Sequence, residues 1–175
     1  MPIDDEAAEY LPEEECPGPT ELESVMAGQT LGEVVTAQPL TVSPDTTVAE
    51  AIGRMQKDHR GYALVLRDGA LAGIFTERDV LMRVAGRGVD LAKTPVSEVM
   101  TADPVTLPAD ASVAHALNLM VIEGFRHIPV MDDRGRPIAV VSMRNLIEYL
   151  SEFFRRDVLN LPPDPRVKSR AREGA

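Results

Sequence analysis

The sequence has few aromatic residues and a single cysteine. Aromatic side chains make up 4% of the 175 residues and tryptophan is absent, so the core must consist of Val, Leu, Ile, Ala and Met. Cys16 has no partner for an internal disulfide, which favours a reducing, cytoplasmic location. No apolar run approaches the roughly 18–20 residues that cross a bilayer. The acidic start, Met1–Glu6, also differs from a secretory signal, so we expect no membrane association.

Residues that support catalysis or metal binding are equally scarce. The three histidines (His59, His115 and His127) and the lone cysteine are not spaced as ligands of one metal ion. The sequence has no glycine-rich phosphate loop and no nucleophile motif. We therefore predict a protein that is not an enzyme and that has no metal and no catalytic cofactor.

Charge is unevenly distributed between the two ends. Residues 1–24 contain nine acids and no base, and residues 155–175 contain six bases and three acids. An acidic segment with several prolines is typical of a solvated chain, so we assign residues 1–29 to a flexible N-terminal arm. Residues 155–175 are assigned to a Pro-rich, basic C-terminal tail. Four bases after Pro165 form too weak a patch for us to expect nucleic-acid binding.

Between the two ends, one pattern occurs twice. Pro39–Met55 aligns with Pro104–Met120 at an offset of 65 residues, with seven identical positions. After a turn that is one residue longer in the second copy, Gly73–Asp79 aligns with Ala139–Asn145. A unit of about 60 residues buries little surface alone, whereas two related units can cover each other's sheets and leave ligand-sized clefts between them. We assign repeat 1 to residues 30–92 and repeat 2 to residues 93–154.

Both copies predict the same α/β unit. In the first, a strand is followed by an amphipathic helix with a Thr47–Glu50 capping box, a β-hairpin and a last helix that starts at Thr76. In the second copy, the last helix starts at Ser142. The predicted order is β-α-β-β-α, twice, with a short helix before each copy. The predicted strands are Leu40–Val42, Tyr62–Leu66, Ala70–Phe75, Val105–Leu107, His127–Met131 and Pro137–Val141, and the short helices are Leu31–Val35 and Ser97–Met100.

This order and the Gly-x-x-Thr-x-x-Asp element at Gly73–Asp79 resemble the cystathionine-β-synthase (CBS) domain family. Met100–Thr106 and Phe125–Val130 are also similar to family signatures, and the tandem pair resembles a Bateman module over residues 30–153. The resemblance implies two CBS repeats packed with pseudo-two-fold symmetry. It also implies a non-catalytic regulatory module that senses an adenosine-type ligand, such as AMP, ADP or ATP, in the cleft between repeats and signals to an unknown regulated protein. A protein–protein scaffold with a vestigial or different ligand site is the alternative.

The resemblance also implies roles for individual residues. Asp79 would accept hydrogen bonds from the ribose hydroxyls, with Thr76 beside the ribose or phosphate, although Thr-x-x-Asp is also close to a capping box. Arg78 and Arg144 would contact phosphate through their forked donors, unless they are ordinary surface residues. The predicted ligand-binding set is Thr41, Tyr62, Gly73, Thr76, Arg78, Asp79, Thr106, Arg126, His127, Ser142, Arg144 and Asn145.

The second copy departs from the family pattern at two positions. Asn145 replaces the acid, and Ala139 replaces the glycine. A neutral amide is a weaker acceptor than a carboxylate, so we predict a weaker or unused second site. Arg126 and His127 are placed to compensate if a phosphate reaches them. Apolar residues in Leu117–Ile122 and Leu146–Phe154 exceed what one small core needs and predict a homodimer through these helices.

Overall fold

The computed structural model describes residues 28–35 and 37–153, which form two α/β units with one sheet each. The sheets follow the order β1-β2-β3-β4 and β5-β6-β7. In each unit the first strand runs parallel to the second, and the second and third strands form an antiparallel hairpin. The strands are β1 (Thr41–Val42), β2 (Tyr62–Arg67), β3 (Ala70–Thr76), β4 (Thr101–Ala102), β5 (Leu107–Pro108), β6 (His127–Met131) and β7 (Pro137–Ser142).

The helices follow the predicted order. They are α1 (Leu31–Val34), α2 (Val48–Lys57), α3 (Glu77–Asp79), α4 (Val113–Glu123) and α5 (Met143–Phe153). A π-helical segment, Val80–Val84, continues α3, and a 3-10 turn, Val96–Glu98, precedes β4. Within the described residues, no helix combines the length and apolarity needed to cross a membrane. Residues 1–27 of the predicted arm and the predicted tail lie outside the described part of the chain.

Local sequence signals account for the ends of these elements. The Thr47 hydroxyl accepts a hydrogen bond from the Glu50 backbone N–H, and the Thr47 N–H donates to the Glu50 carboxylate, each at 3.2 Å. This confirms the predicted capping box. The first hairpin turns through Asp68 (φ 52°) and Gly69 (φ 82°), as a two-residue turn with two left-handed positions requires. In the longer second turn, the Asp132 carboxylate instead accepts from two backbone N–H groups.

The central strands are buried on both faces. On β2, Ala63 and Val65 pack against the helix side of repeat 1, in a cluster with Val48. Tyr62 and Leu64 point to the opposite face and share a third cluster with Val140 of repeat 2. Because side chains alternate along a strand, one face of β2 contacts its own helices and the other contacts the second repeat. The two repeats therefore meet through their sheets.

The short segment at the start of each repeat packs on the other repeat. Leu31 of α1 is fully buried in the core cluster of repeat 2, and its N–H donates to the Ala111 carbonyl at 2.9 Å. Conversely, Val96 is fully buried in the cluster of repeat 1, and β4 pairs with β3. Gln29, at the end of the predicted arm, accepts from the N–H of Val113. The packing thus crosses the boundary placed between residues 92 and 93.

Candidate functional site

A cavity of about 530 Å³ opens between the two repeats around Asp79. Its walls are the junction of β3 and α3, the segment around β4 and the residues before β6. We call it the Asp79 cleft. The lining residues are Gly61, Ile74, Thr76, Glu77, Arg78, Asp79, Leu81, Thr101, Asp103, Pro104, Val105, Phe125, Arg126 and His127.

The Asp79 side chain is only 7% exposed, and both of its carboxylate oxygens have partners. Its Oδ2 accepts from the backbone N–H of Thr76 at 2.8 Å and from the Thr76 hydroxyl at 2.7 Å. Its Oδ1 accepts from the Thr101 hydroxyl at 3.0 Å and lies 3.2 Å from Nη1 of Arg83. A carboxylate has about four acceptor positions, and these contacts occupy them. Asp79 therefore caps α3, which is the alternative role that the Thr-x-x-Asp spacing suggested.

Arg83 is the participant that the sequence reasoning missed. Besides its ion pair with Asp79, its Nη1 donates to the carbonyl oxygen of Val99 at 3.1 Å and to that of Met100. It thereby ties the end of repeat 1 to the segment that leads into repeat 2. The i, i+4 spacing of Asp79 and Arg83 was the available signal, because residues four apart meet on a helix surface.

Arg78 also connects the two repeats. Its Nη2 donates to the carbonyl oxygen of Gly124 at 3.2 Å. Gly124 ends α4 with left-handed backbone (φ 70°), where glycine is the favoured residue. The guanidinium lies at the wall of the Asp79 cleft. It is therefore held in place by a repeat 2 carbonyl while remaining exposed to the cavity.

A second cavity, of about 490 Å³, surrounds Asn145 and is called the Asn145 cleft. Oδ1 of Asn145 accepts from the Ser142 backbone N–H at 3.1 Å and from the Ser142 hydroxyl at 2.6 Å. This repeats the contacts that Oδ2 of Asp79 makes with Thr76. The lining residues are His59, Arg60, Gly61, Tyr62, Arg126, His127, Ser142, Met143, Arg144, Asn145 and Glu148.

The two clefts share a wall formed by Gly61, Arg126 and His127. The His127 ring lies beside the Tyr62 ring, with centroids 5.1 Å apart. Burial, and then the positive charge of Arg126, lowers the pKa of His127 to about 4. Burial likewise raises the pKa of the Tyr62 phenol. Both side chains are therefore neutral at pH 7, so the charge of the shared wall comes from Arg126.

Three predicted ligand-binding residues do not line either cleft. Thr41 lies in a separate groove, and Thr106 is exposed in the loop before β5. Gly73 is buried where β4 approaches β3: a Cβ there would lie 2.4 Å from Sδ of Met100 and 2.8 Å from the Thr101 carbonyl oxygen. The need for glycine at this position thus arises from strand packing. The other nine members of the predicted set line one cleft or both.

The described residues include no group of three or more His, Cys, Asp or Glu side chains that could hold a metal ion. The polar groups at the clefts are hydroxyls, an amide, imidazoles, guanidinium groups and carboxylates. Such groups can hydrogen-bond sugar hydroxyls and phosphate oxygens. The clefts are therefore suited to reversible binding of a polar organic molecule.

Comparison with known sequences identifies the repeats. The CBS domain family model matches residues 31–86 and 96–152. The chain is 32% identical over 121 residues to an uncharacterized 17.7 kDa protein of Acidianus ambivalens. The alignment covers 69% of this chain and 72% of that relative. It is 42% identical over 106 residues to the CBS domain-containing protein CBSCBSPB5 of Arabidopsis thaliana, covering 59% of this chain. It spans only 19% of that longer plant protein.

Solved structures of similar proteins share the fold. A putative signal-transduction protein with CBS domains from Burkholderia ambifaria aligns with a TM-score of 0.65 and 30% identity, over 70% of this chain and 93% of that one. CBSX2 in complex with AMP aligns with a TM-score of 0.63 and 23% identity, over 73% and 100%. The CBS domain pair of protein MJ0100 was solved in complex with 5′-methylthioadenosine and S-adenosyl-L-methionine. It aligns with a TM-score of 0.62 and 22% identity, over 70% of this chain and 99% of that one. The chain therefore belongs to the CBS domain family and contains two tandem CBS domains.

Proposed function

We propose that this CBS domain pair is a non-catalytic regulatory module that binds an adenosine-type ligand in the Asp79 cleft and signals its occupancy to a partner protein. The observation that carries this proposal is the position of Thr76 and Asp79 at the wall of a cavity of about 530 Å³ between the two repeats. A cavity of this size is within the range that holds a nucleotide.

The ligand class is supported by two structural neighbours. CBSX2 was solved with AMP, and the pair from MJ0100 was solved with 5′-methylthioadenosine and S-adenosyl-L-methionine. All three compounds contain adenosine. The Asp79 cleft offers groups for each part of such a molecule: a carboxylate and a hydroxyl for the ribose, and apolar side chains such as Val105 and Phe125 for the base.

Ribose binding at Asp79 requires an exchange of hydrogen bonds. The acceptor positions of the carboxylate are occupied by Thr76, Thr101 and Arg83. We propose that the ribose hydroxyls replace Thr101 and Arg83 at Oδ1, while Thr76 keeps Oδ2 as the helix cap. Arg83 is 45% exposed, so solvent screens its ion pair with Asp79 and the loss of that pair costs little.

This exchange provides a route for signalling. Arg83 also donates to the carbonyl oxygens of Val99 and Met100, next to β4. A ligand that displaces Arg83 from Asp79 removes the charge partner that orients these contacts. Occupancy of the cleft would then change the hold of repeat 1 on the segment that leads into repeat 2. A partner bound across both repeats could sense that change.

The variant Asp79→Asn tests the role of the carboxylate. Asn145 shows that an amide oxygen can make the same capping contacts, so the variant should keep the fold and lose the charge. We expect adenosine to bind about tenfold to a hundredfold more weakly, equivalent to roughly 1–3 kcal/mol. Isothermal titration calorimetry measures this effect, with Asp133→Asn in the exposed second hairpin turn as the matched control. The proposal fails if adenosine, AMP, ADP, ATP and S-adenosylmethionine all fail to bind the wild type at millimolar concentration.

A protein–protein scaffold is the second candidate, and the occupied carboxylate favours it. If the contacts of Thr101 and Arg83 with Asp79 are permanent, the cleft offers no free acceptor for a ribose. The calorimetric experiment separates the two candidates, because a scaffold predicts no adenosine binding and no effect of Asp79→Asn. In that case, hydrogen exchange in the presence of a captured partner would map the contact surface.

A further inference from the structure

The two clefts differ in charge although the repeat makes them look equivalent. Three acids and two arginines line the Asp79 cleft: Glu77, Asp79, Asp103, Arg78 and Arg126. One acid and three arginines line the Asn145 cleft: Glu148, Arg60, Arg126 and Arg144. The second cleft is therefore the more positive of the two, in part because Asn145 has the position that Asp79 has in the first cleft.

The ion pairs leave this difference in place. Asp79 is paired with Arg83, and the two other acids of its cleft then balance the two arginines. In the Asn145 cleft, Arg144 is paired with Glu148 at 2.7 Å, while Arg60 and Arg126 form no ion pair among the described residues. The Arg144 side chain is 72% exposed, so solvent screens its ion pair strongly and a competing anion can replace Glu148.

Each of the two clefts also lies at the N-terminus of a helical segment. The Asn145 cleft lies at the N-terminus of α5, which is α-helical for 11 residues. The Asp79 cleft lies at α3, which is α-helical for only three residues before it becomes a π-helical segment. Peptide dipoles are aligned in both helical segments, so each N-terminus favours an anion and the contrast between the clefts comes from the arginines.

The apolar parts of the walls differ in the opposite sense. Ile74, Leu81, Pro104, Val105 and Phe125 line the Asp79 cleft. The Asn145 cleft offers a base fewer apolar side chains, namely Met143 and the ring of Tyr62, beside the imidazole rings of His59 and His127. An uncharged nucleoside gains most from apolar contact, whereas a polyphosphate gains most from arginines.

We infer that the two clefts divide their ligands by charge: the Asn145 cleft binds a polyphosphate-bearing ligand such as a nucleoside triphosphate, and the Asp79 cleft binds an adenosine compound of little or no negative charge. The second part rests on the proposed function, whereas the first rests on the arginines alone. This assignment reverses the expectation of a weak or unused second site for any ligand that carries several phosphates.

Three probes and three cleft variants test the division by calorimetry. The probes are adenosine, ATP and inorganic tripolyphosphate. We expect Arg60→Gln and Arg144→Gln each to weaken ATP and tripolyphosphate binding by roughly tenfold and to leave adenosine within about twofold, because each removes a charge-assisted contact to phosphate. Asp79→Asn should weaken adenosine and leave tripolyphosphate unchanged. Arg134→Gln, in the exposed second hairpin turn, is the charge-matched control and should affect none of them.

The outcomes separate this inference from the proposed function. Binding of tripolyphosphate that depends on Arg60 and Arg144 supports the polyphosphate site even if adenosine does not bind, and only the proposed function then fails. If Asp79→Asn weakens ATP as much as adenosine while the arginine variants change neither, both compounds occupy the Asp79 cleft and the division is wrong. The absence of tripolyphosphate binding, together with ATP binding that Arg144→Gln does not alter, also overturns it.

Discussion

Two glycines of repeat 1 differ in what an added methyl group would contact. At Gly73 a Cβ would lie 2.8 Å from the Thr101 carbonyl oxygen, which belongs to backbone and cannot turn away. At Gly53, in the middle of α2, a Cβ would have nothing within 4 Å. We expect Gly73→Ala to lower the free energy of unfolding by about 1–3 kcal/mol. We expect Gly53→Ala to raise it by about 0.5–1 kcal/mol, because alanine favours the helix. Urea unfolding followed by circular dichroism measures both, and equal effects would contradict the strand-packing explanation.

His127 should make stability depend on pH. Its pKa in the folded protein is about 4, because burial and Arg126 disfavour its charged form, against 6.5 for an unperturbed histidine. As the pH falls below about 6.5, the unfolded chain takes up a proton that the folded chain does not, so the free energy of unfolding decreases until the pH reaches about 4. The slope for this one group is at most about 1.4 kcal/mol per pH unit.

The pH prediction is checked by urea unfolding between pH 6.5 and 5. His127→Gln should show a shallower decline than the wild type over this interval. His115→Gln, whose side chain lies on the exposed face of α4, is the matched control and should follow the wild type. Parallel profiles for the wild type and His127→Gln would show that the histidine is not the group responsible.

At the scale of elements, the exchange of short segments predicts where a mutation acts. Leu31 belongs to the sequence of repeat 1 but is fully buried in the core of repeat 2, and Val96 has the converse position. Leu31→Ala should destabilise by about 2–5 kcal/mol, because it leaves a cavity in that core. Native-state hydrogen exchange should show loss of protection first in β6 and β7 for Leu31→Ala, and first in β2 and β3 for Val96→Ala. The reverse pattern would contradict the exchange.

The elements themselves were largely predictable from local chemistry. The Thr47–Glu50 cap, the Asp68–Gly69 turn and the apolar strand β2 all follow from neighbouring residues. By contrast, β4 has only two residues and exists because Gly73 lets it approach β3, which no local pattern reveals. The π-helical continuation of α3 and the exchange of opening segments likewise depend on tertiary packing.

The candidate site was predictable in outline. The family resemblance named Thr76 and Asp79 as ligand contacts and Arg126 and His127 as contacts that could compensate in the second cleft, and the structure brings all four to one cavity. Register also aligned Thr41 with Thr106, but the structure places Thr41 on β1 and Thr106 in the loop before β5, away from both clefts. The contacts that occupy the acceptor positions of the Asp79 carboxylate could not be foreseen, since Thr101 comes from a segment 22 residues away.

At the scale of the whole molecule, α4 and α5 offer a surface for a second copy of the chain. Val121, Ile122 and Ile147 are 70%, 68% and 59% exposed, whereas Met120 and Leu146, also in the predicted set, are buried in the core. Phe154 lies outside the described residues. We expect a homodimer that covers the exposed three, because apolar side chains clustered on neighbouring helices gain free energy when removed from water.

Light scattering tests this association. The wild type should give twice the chain mass of 19.0 kDa, and the double variant Ile122→Glu, Ile147→Glu should give the single mass. Ile138→Glu, 42% exposed on β7, is the control and should remain dimeric. A wild-type mass of one chain at all concentrations would rule the dimer out.

The exchanged segments also mean that the two halves of the chain interlock without needing the peptide bond between them. Residues 85–88 are exposed, and Gly86 and Gly88 both have left-handed backbone (φ 69°), so a break there removes no core contact. A first half made of residues 1–87 would carry the α1 segment that repeat 2 needs, and a second half of residues 88–175 would carry Val96 and β4 for repeat 1. Each half alone should fold poorly, and an equimolar mixture should restore the NMR spectrum of the intact chain, as in a split protein that reassembles.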